Sequence, residues 1–146
     1  MSSSSGMGAV QHAYQYVVLR CVPRVEREEF LNVGVVLHCP ERDFLGSAVA
    51  VDATRLIAVA PGFDLDRLTR ALEAVEAVCS GAAQAQYGAA RRATAYGTRE
   101  AAEDLGTRFG LLKAPRSTVL QPGPVHGGRT ADPAATLDHL LRRLVS

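Results

Sequence analysis

The chain has 146 residues, with 16 basic and 15 acidic side chains and a formal net charge of +1. This length is typical of one domain with a sizeable core. The nearly neutral charge argues against a strongly basic nucleic-acid interface, and no apolar run reaches the roughly 18 residues of a membrane helix. The first residues lack the charged and apolar parts of a signal peptide. We therefore expect a cytoplasmic protein with a disordered tail over residues 1–11 and a single domain over residues 12–146.

The stretch Tyr14–Val51 predicts three strands in an antiparallel meander. The first run, Tyr14–Val22, is rich in β-branched and aromatic residues and ends at a proline. The second run, Phe30–Cys39, is apolar on both faces, which indicates a central position in the sheet. The third run, Phe44–Val51, follows a short polar turn. Short connections of this kind join antiparallel neighbours.

Alternation along these strands assigns side chains to faces. In the second strand it places Asn32 and His38 on one face. Asn32 interrupts an apolar run and needs hydrogen-bond partners if the strand is central, so a structural role is favoured. In the first strand, one face carries Tyr14, Tyr16, Val18, Arg20 and Val22, and the other carries Gln15, Val17, Leu19 and Cys21.

The rest of the chain predicts helices and one further strand. Apolar residues recur at helical spacing in two long segments, Leu65–Ser80 and Pro133–Val145, and the second starts with an Asp-Pro cap. A short helix after Asp52 and another over Thr98–Arg108 are also predicted. Ser117–Gln121 is a candidate edge strand flanked by prolines. The predicted fold is α+β: a three- to four-stranded antiparallel sheet with two to four helices, the two long helices lying against one face.

The three cysteines predict neither a disulfide nor a metal site. In the expected pairing of the first two strands, Cys21 lies opposite about Asn32 and Cys39 opposite about Tyr14, which is too far apart for a bridge. The sequence has no C-x-x-C pair. We expect reduced, buried thiols, with no metal and no cofactor.

Two separated segments resemble a known family. They are REEFLNVGVVL at Arg27–Leu37 and APRSTVLQPGPVHGG at Ala114–Gly128, followed by the Asp-Pro helix. Together they resemble a small bacterial family called domain of unknown function 3037, over about Tyr14 to Val145. The resemblance implies no established activity, cofactor or substrate. Members of that family are often encoded beside a HipA-like, kinase-fold protein, which implies a protein partner or a shared pathway.

No catalytic signature stands out, but one segment concentrates binding groups. The sequence contains no P-loop, no G-x-S-x-G and no H-E-x-x-H motif. An irregular segment before the last helix combines arginine forks, hydroxyls, an imidazole and glycines, which suit a phosphate or a carboxylate. The alternative is an ordered structural loop. The candidate anion or partner site comprises Arg116, Ser117, Thr118, Gln121, His126 and Arg129.

Two weaker candidates have ordinary explanations. The Arg24–Glu29 turn carries three carboxylates, but alternating charges in a hairpin loop usually form a solvated surface. The alanine-rich stretch Ala82–Gly97 places two arginines between two tyrosines, an arrangement that stacks on nucleic acid in some proteins. A loop or a weak helix is the favoured interpretation of that stretch, so nucleic acid is not an expected partner.

Two functions remain open from the sequence. The favoured one is a non-enzymatic binding or regulatory module acting with a protein partner. The alternative is a small enzyme or ligand-binding protein that acts on a phosphate- or carboxylate-bearing molecule through the Arg116–Arg129 loop. An enzyme should bring Arg116 and His126 together in a concave site. A partner-binding module should instead present a flat apolar patch.

Overall fold

The computed structural model describes residues 10–23, 29–80, 100–113 and 119–145. A single turn of 3-10 helix, Pro40–Arg42, joins the second and third strands. The predicted tail falls mostly on residues 1–9, which lie outside these ranges, as does the stretch Ala82–Gly97. The described elements are β1 His12–Cys21, β2 Leu31–Cys39, β3 Phe44–Val49, α1 Ala53–Val59, α2 Leu65–Ser80, α3 Glu100–Leu112, β4 Leu120–Pro122, β5 His126–Thr130 and α4 Pro133–Leu144.

The strands form one antiparallel sheet in the order β3-β2-β1, with β4 and β5 both pairing with the remaining edge of β1. The consecutive strands β1, β2 and β3 are neighbours, which confirms the predicted meander and the α+β class. Because β2 lies between β1 and β3, its apolar character on both faces is explained.

The β4 and β5 strands act as one interrupted edge strand. Leu19 of β1 pairs with Pro122, and Tyr16 pairs with His126, so the register changes by one residue across the gap. The Gly123 N–H donates to the Val18 carbonyl at 2.8 Å, so the preceding Pro122 lies at an outward position of this edge, where no ladder N–H is needed. The predicted strand over Ser117–Gln121 is found as Leu120–Pro122. The prediction that the glycines at 127 and 128 force an irregular path was wrong, since both lie within β5.

Helices cover both faces of the sheet, which corrects the prediction that the long helices share one face. One buried cluster joins Val17, Leu19 and Val36 to residues of α1, α2 and α3. The second cluster joins Val35 and Leu37 to Leu137 and Leu140 of α4 and to Val145. Because β2 is apolar and buried on both faces, each face of the sheet requires its own cover there. We call these the α2 face and the α4 face.

The long helices start and pack as their sequences predict. Asp64 accepts a hydrogen bond from the Arg67 N–H at 3.1 Å, and Asp132 accepts one from the Ala135 N–H at 3.2 Å. The short helix α1 is capped in the same way by Asp52. In the core, Val35, Leu37, Leu72 and Leu140 are buried, whereas Leu141 is only partly buried.

A β-bulge in β2 changes the predicted face of Asn32. Leu19 pairs with Gly34 and Arg20 pairs with Asn32, so Val33 is the extra residue. The bulge turns Asn32 to the α4 face, while His38 lies on the α2 face. The Asn32 amide donates to the Leu144 carbonyl at 3.0 Å, near the end of α4. This hydrogen bond holds the end of α4, which agrees with the structural role that the sequence favoured for Asn32.

The three cysteines are free and buried. Burial raises the pKa of Cys21 and of Cys79 to about 11 in each case. The Cys39 thiol contacts the Ala13 carbonyl oxygen at 3.5 Å. These thiols therefore pack as small apolar groups, in agreement with the prediction. Across the described ranges, no helix combines the length and hydropathy of a membrane-spanning segment.

Candidate functional site

The structure divides the predicted site residues. Arg116, Ser117 and Thr118 lie outside the described residues. Gln121 pairs with Arg20 and His126 pairs with Tyr16, so both project from the α4 face. Arg129 pairs with Ala13 and lies on the opposite face, where its guanidinium approaches the Gln11 carbonyl oxygen at 3.5 Å. Gln121 and His126 thus share a surface that Arg129 does not join.

That surface is the half of the α4 face that helix α4 leaves uncovered. Helix α4 packs on β2 and β3, which form the other half. The uncovered half, which we call the open face, is built from β1, β4, β5 and the residue before β2. Its side chains are partly or fully exposed. They are Tyr14, Tyr16, Val18, Arg20, Phe30, Gln121 and His126.

Aromatic rings form a continuous row at one end of the open face. The ring centroids of Tyr14 and Tyr16 are 6.1 Å apart, and those of Tyr16 and His126 are 5.3 Å apart. Tyr14 crosses over Gly128, where an added Cβ would lie 2.5 Å from the tyrosine hydroxyl oxygen. The glycine is therefore required by the close approach of this ring. Both tyrosines also contact the α4 cluster, which fixes their positions.

A guanidinium occupies the other end of the open face. The Arg20 Cζ atom lies 4.4 Å from the centroid of the Phe30 ring. On the neighbouring strand, an added Cβ at Gly123 would lie 3.1 Å from Arg20 Nε. Among the described residues, no hydrogen-bond partner reaches this buried Nε atom. The cation is thus held by the Phe30 ring and by the closely packed backbone at Gly123.

The chemistry of the open face is that of a binding surface. Burial, and then the neighbouring Tyr16 hydroxyl, raises the pKa of Tyr14 above its usual value of 10.0, so the phenol stays protonated near neutral pH. The face offers ring surfaces, two hydroxyls, an amide, an imidazole and one guanidinium. At the start of β1, on the same face, the His12 Nδ1 atom lies 2.8 Å from a carboxylate oxygen of Glu41.

A cleft of about 400 Å³ lies elsewhere, beside the first residues of β2 and the start of α1. Its polar side chains are Asn32, Asp52 and Arg55, and apolar residues such as Leu31 and Val145 complete it. His126 does not line this cleft. Within the described parts of the chain, no three His, Cys, Asp or Glu side chains come close enough to hold a metal ion.

His38 is the one buried imidazole among the described residues. Its ring lies 5.2 Å from that of Phe109, with Gly106 close by. Burial, and then the positive charge of Lys113, lowers the pKa of His38 below 6.5. A neutral imidazole packed on a phenylalanine is a core residue that joins β2 to α3.

The sequence indicated parts of the open face without assembling it. Alternation correctly placed Tyr14, Tyr16 and Arg20 on one face of β1. The contact of Tyr16 with His126 depends on the pairing of β5 with β1 across more than a hundred residues. Tertiary pairing of this kind has no local sequence signal.

The comparisons with known proteins agree with the resemblance in the sequence. Residues 16–145 match the family model described as "Protein of unknown function (DUF3037)". Searches of curated proteins and of solved structures found no match. Because the family model spans most of the chain, the protein belongs to this family.

Proposed function

We propose that this DUF3037 protein is a non-enzymatic binding module that holds a partner protein on its open face. The observation that carries the proposal is the row of tyrosines, histidine and arginine on the half of the sheet that α4 does not cover. The HipA-like kinase-fold protein implied by the family resemblance is the proposed partner. Three free, buried cysteines support a reducing, cytoplasmic setting for this interaction.

The composition of the open face supports a protein partner. Tyrosine, phenylalanine and arginine are the side chains most enriched where proteins meet, and arginine and tyrosine often contribute most of the binding energy. Phe30 is 48% exposed although it is a large apolar residue. The aromatic rings are held against α4 and the edge strand, so little side-chain entropy is lost on binding. The Arg20 guanidinium favours a partner that supplies a carboxylate or carbonyl oxygen.

A small-molecule function is the second candidate. It would bring a phosphate or carboxylate to the Arg116–Arg129 loop, with Gln121 and its β1 partner Arg20 among the binding groups. The cleft of about 400 Å³ beside β2 is lined by neither His126 nor Gln121, which supports the protein partner over the small ligand. Inorganic phosphate and the purified kinase-fold protein are therefore the two probes that separate these candidates.

The test measures binding of the purified kinase-fold protein by calorimetry. We expect Phe30→Ser and His126→Ala each to weaken binding by about tenfold or more, because each removes a ring from the contact area. Leu111→Ser is the matched control, because Leu111 is 46% exposed and lies on α3, against the other face of the sheet.

Three outcomes would contradict the proposal. If the wild-type protein does not bind the kinase-fold protein, the partner is wrong. If Leu111→Ser weakens binding as much as Phe30→Ser, the surface is wrong. If phosphate binds and protects the protein from unfolding, and Phe30→Ser keeps full affinity for the kinase-fold protein, the small-molecule function replaces the proposal. Melting temperatures of all variants exclude unfolding as the cause of lost binding.

A further inference from the structure

The backbone groups on the outer edge of β3 pair with no strand that the structure describes. The Ala50 N–H donates to the Val33 carbonyl at 2.9 Å, so the even-numbered residues of β3 direct their backbone groups towards β2. The odd-numbered residues therefore direct theirs outwards. These are Leu45, Ser47 and Val49, which offer three N–H donors and three carbonyl acceptors. Among the described residues, no strand pairs with this side of β3.

The two edges of the sheet differ in how they are protected. The β4–β5 edge is interrupted by Pro122 and Pro124 and by a change of register. Prolines and bulges of this kind prevent unwanted strand pairing. The β3 edge has neither proline nor charge over its six residues, FLGSAV. Val49 at its end is 45% exposed. An unprotected apolar edge is a template for another strand.

We propose that β3 pairs with β3 of a second copy of this chain, which forms a continuous ten-stranded sheet. Antiparallel pairing of two identical strands produces a two-fold symmetric dimer. One register joins all three outward residues: Ser47 lies opposite Ser47 of the second copy, and Leu45 lies opposite Val49 of the second copy. If one strand is shifted by two residues in either direction, only two of the three outward residues lie opposite an outward residue of the second copy.

The side chains are self-complementary in this register. Leu45 already packs against the α2 cluster, and it would cover the exposed Val49 of the second copy on the same face. No like charges come opposite each other. The strand itself is neutral over its six residues, FLGSAV. This symmetry favours a second copy over an unrelated peptide strand.

The dimer is independent of the proposed partner binding, because the open face belongs to the other edge of the sheet. The first test is sedimentation equilibrium of the full chain at micromolar concentrations. We expect a mass twice that of the 15.5 kDa chain. Val49→Lys places a charge on the outer edge and should raise the dimer dissociation constant by at least about tenfold. Val125→Lys is the matched control, because Val125 is 41% exposed and lies beside the opposite edge.

The second test examines the register through cysteine cross-linking. The native thiols are buried, so introduced cysteines report on the edge alone. An oxidised mixture of Leu45→Cys and Val49→Cys chains should give a covalent dimer, since opposite residues lie within disulfide distance. Each variant alone should give little, because neither residue lies opposite itself. Three results would overturn the proposal. They are a monomeric wild-type chain, a Val49→Lys variant that stays dimeric, and a single cysteine variant that cross-links as well as the mixture of the two variants.

Discussion

Truncation of Leu140 tests whether α4 is fixed on its face of the sheet. Leu140 is 6% exposed and packs in the cluster that contains Val35, Leu37 and Leu137. This cluster is the smaller of the two cores, and α4 is its only helical cover among the described residues. Loss of the Leu140 side chain therefore removes contacts that no second helix in that cluster replaces.

The magnitude follows from the atoms removed. Leucine to alanine deletes three carbon atoms, and their transfer from water contributes about 2.4 kcal/mol at roughly 0.8 kcal/mol per buried carbon. The cavity left behind adds to this, because the strands below cannot collapse into it. We expect Leu140→Ala to lower the free energy of unfolding by about 3 kcal/mol, within the usual range of about 2–5 kcal/mol. The melting temperature should fall by roughly 10 °C.

Urea unfolding followed by circular dichroism measures this loss. Leu141→Ala is the matched control, because Leu141 is the next residue of the same helix and is only partly buried. Its loss should be clearly smaller, at about 1–2 kcal/mol. If Leu140→Ala unfolds like the parent, α4 is not docked, and its apolar face must serve another purpose. Equal losses for the two variants would contradict the orientation of the helix.

Three further measurements test the cysteines, His38 and two glycines. Native protein should leave all three thiols unreactive towards a disulfide reagent, and denatured protein should expose three; fast native reaction would contradict the burial of Cys21, Cys39 and Cys79. Because the folded pKa of His38 is lowered, the unfolded chain binds its proton more readily, so stability should fall as the pH drops below about 6.5. A His38→Leu variant should lose this part of the pH dependence. Gly128→Ala should lower the melting temperature by displacing Tyr14, whereas Gly110→Ala, with open space around it, should raise stability by up to about 1 kcal/mol.

Local patterns predicted most of the secondary structure. Helix α2 was predicted with the bounds that the structure gives, because its apolar stripe and its aspartate cap lie within the segment itself. The meander was predicted for the same reason, since its strands are adjacent in the chain. The strand β5 was missed because its sequence, HGGRT, has almost no strand propensity. Its pairing with β1 and the Tyr14 ring over Gly128 supply the stability that propensity does not.

Long-range geometry was not predictable from the same patterns. An amphipathic helix shows which of its sides is buried but not which face of a sheet it covers, so α2 and α4 were assigned to one face. The bulge at Val33 moved Asn32 to the other face, because one extra residue reverses the alternation. For the candidate site, the sequence grouped Gln121, His126 and Arg129 in one loop, and in the structure Gln121 and His126 lie on the same face of the sheet. It placed Arg129 with them because spacing along a loop carries no information about strand faces.

The two proposed surfaces fit together geometrically. In an antiparallel pair, opposite residues project from the same face, so pairing through β3 would place the α4 faces of both copies on one side of the ten-stranded sheet. The two α4 helices, which pack beside β3, would then lie near the centre of that side. The open faces on β1 and β5 would lie towards its two ends, both pointing in the same direction. Such a dimer would present two identical binding surfaces to a two-fold symmetric partner, and simultaneous engagement would raise the overall affinity without any new contact within either surface.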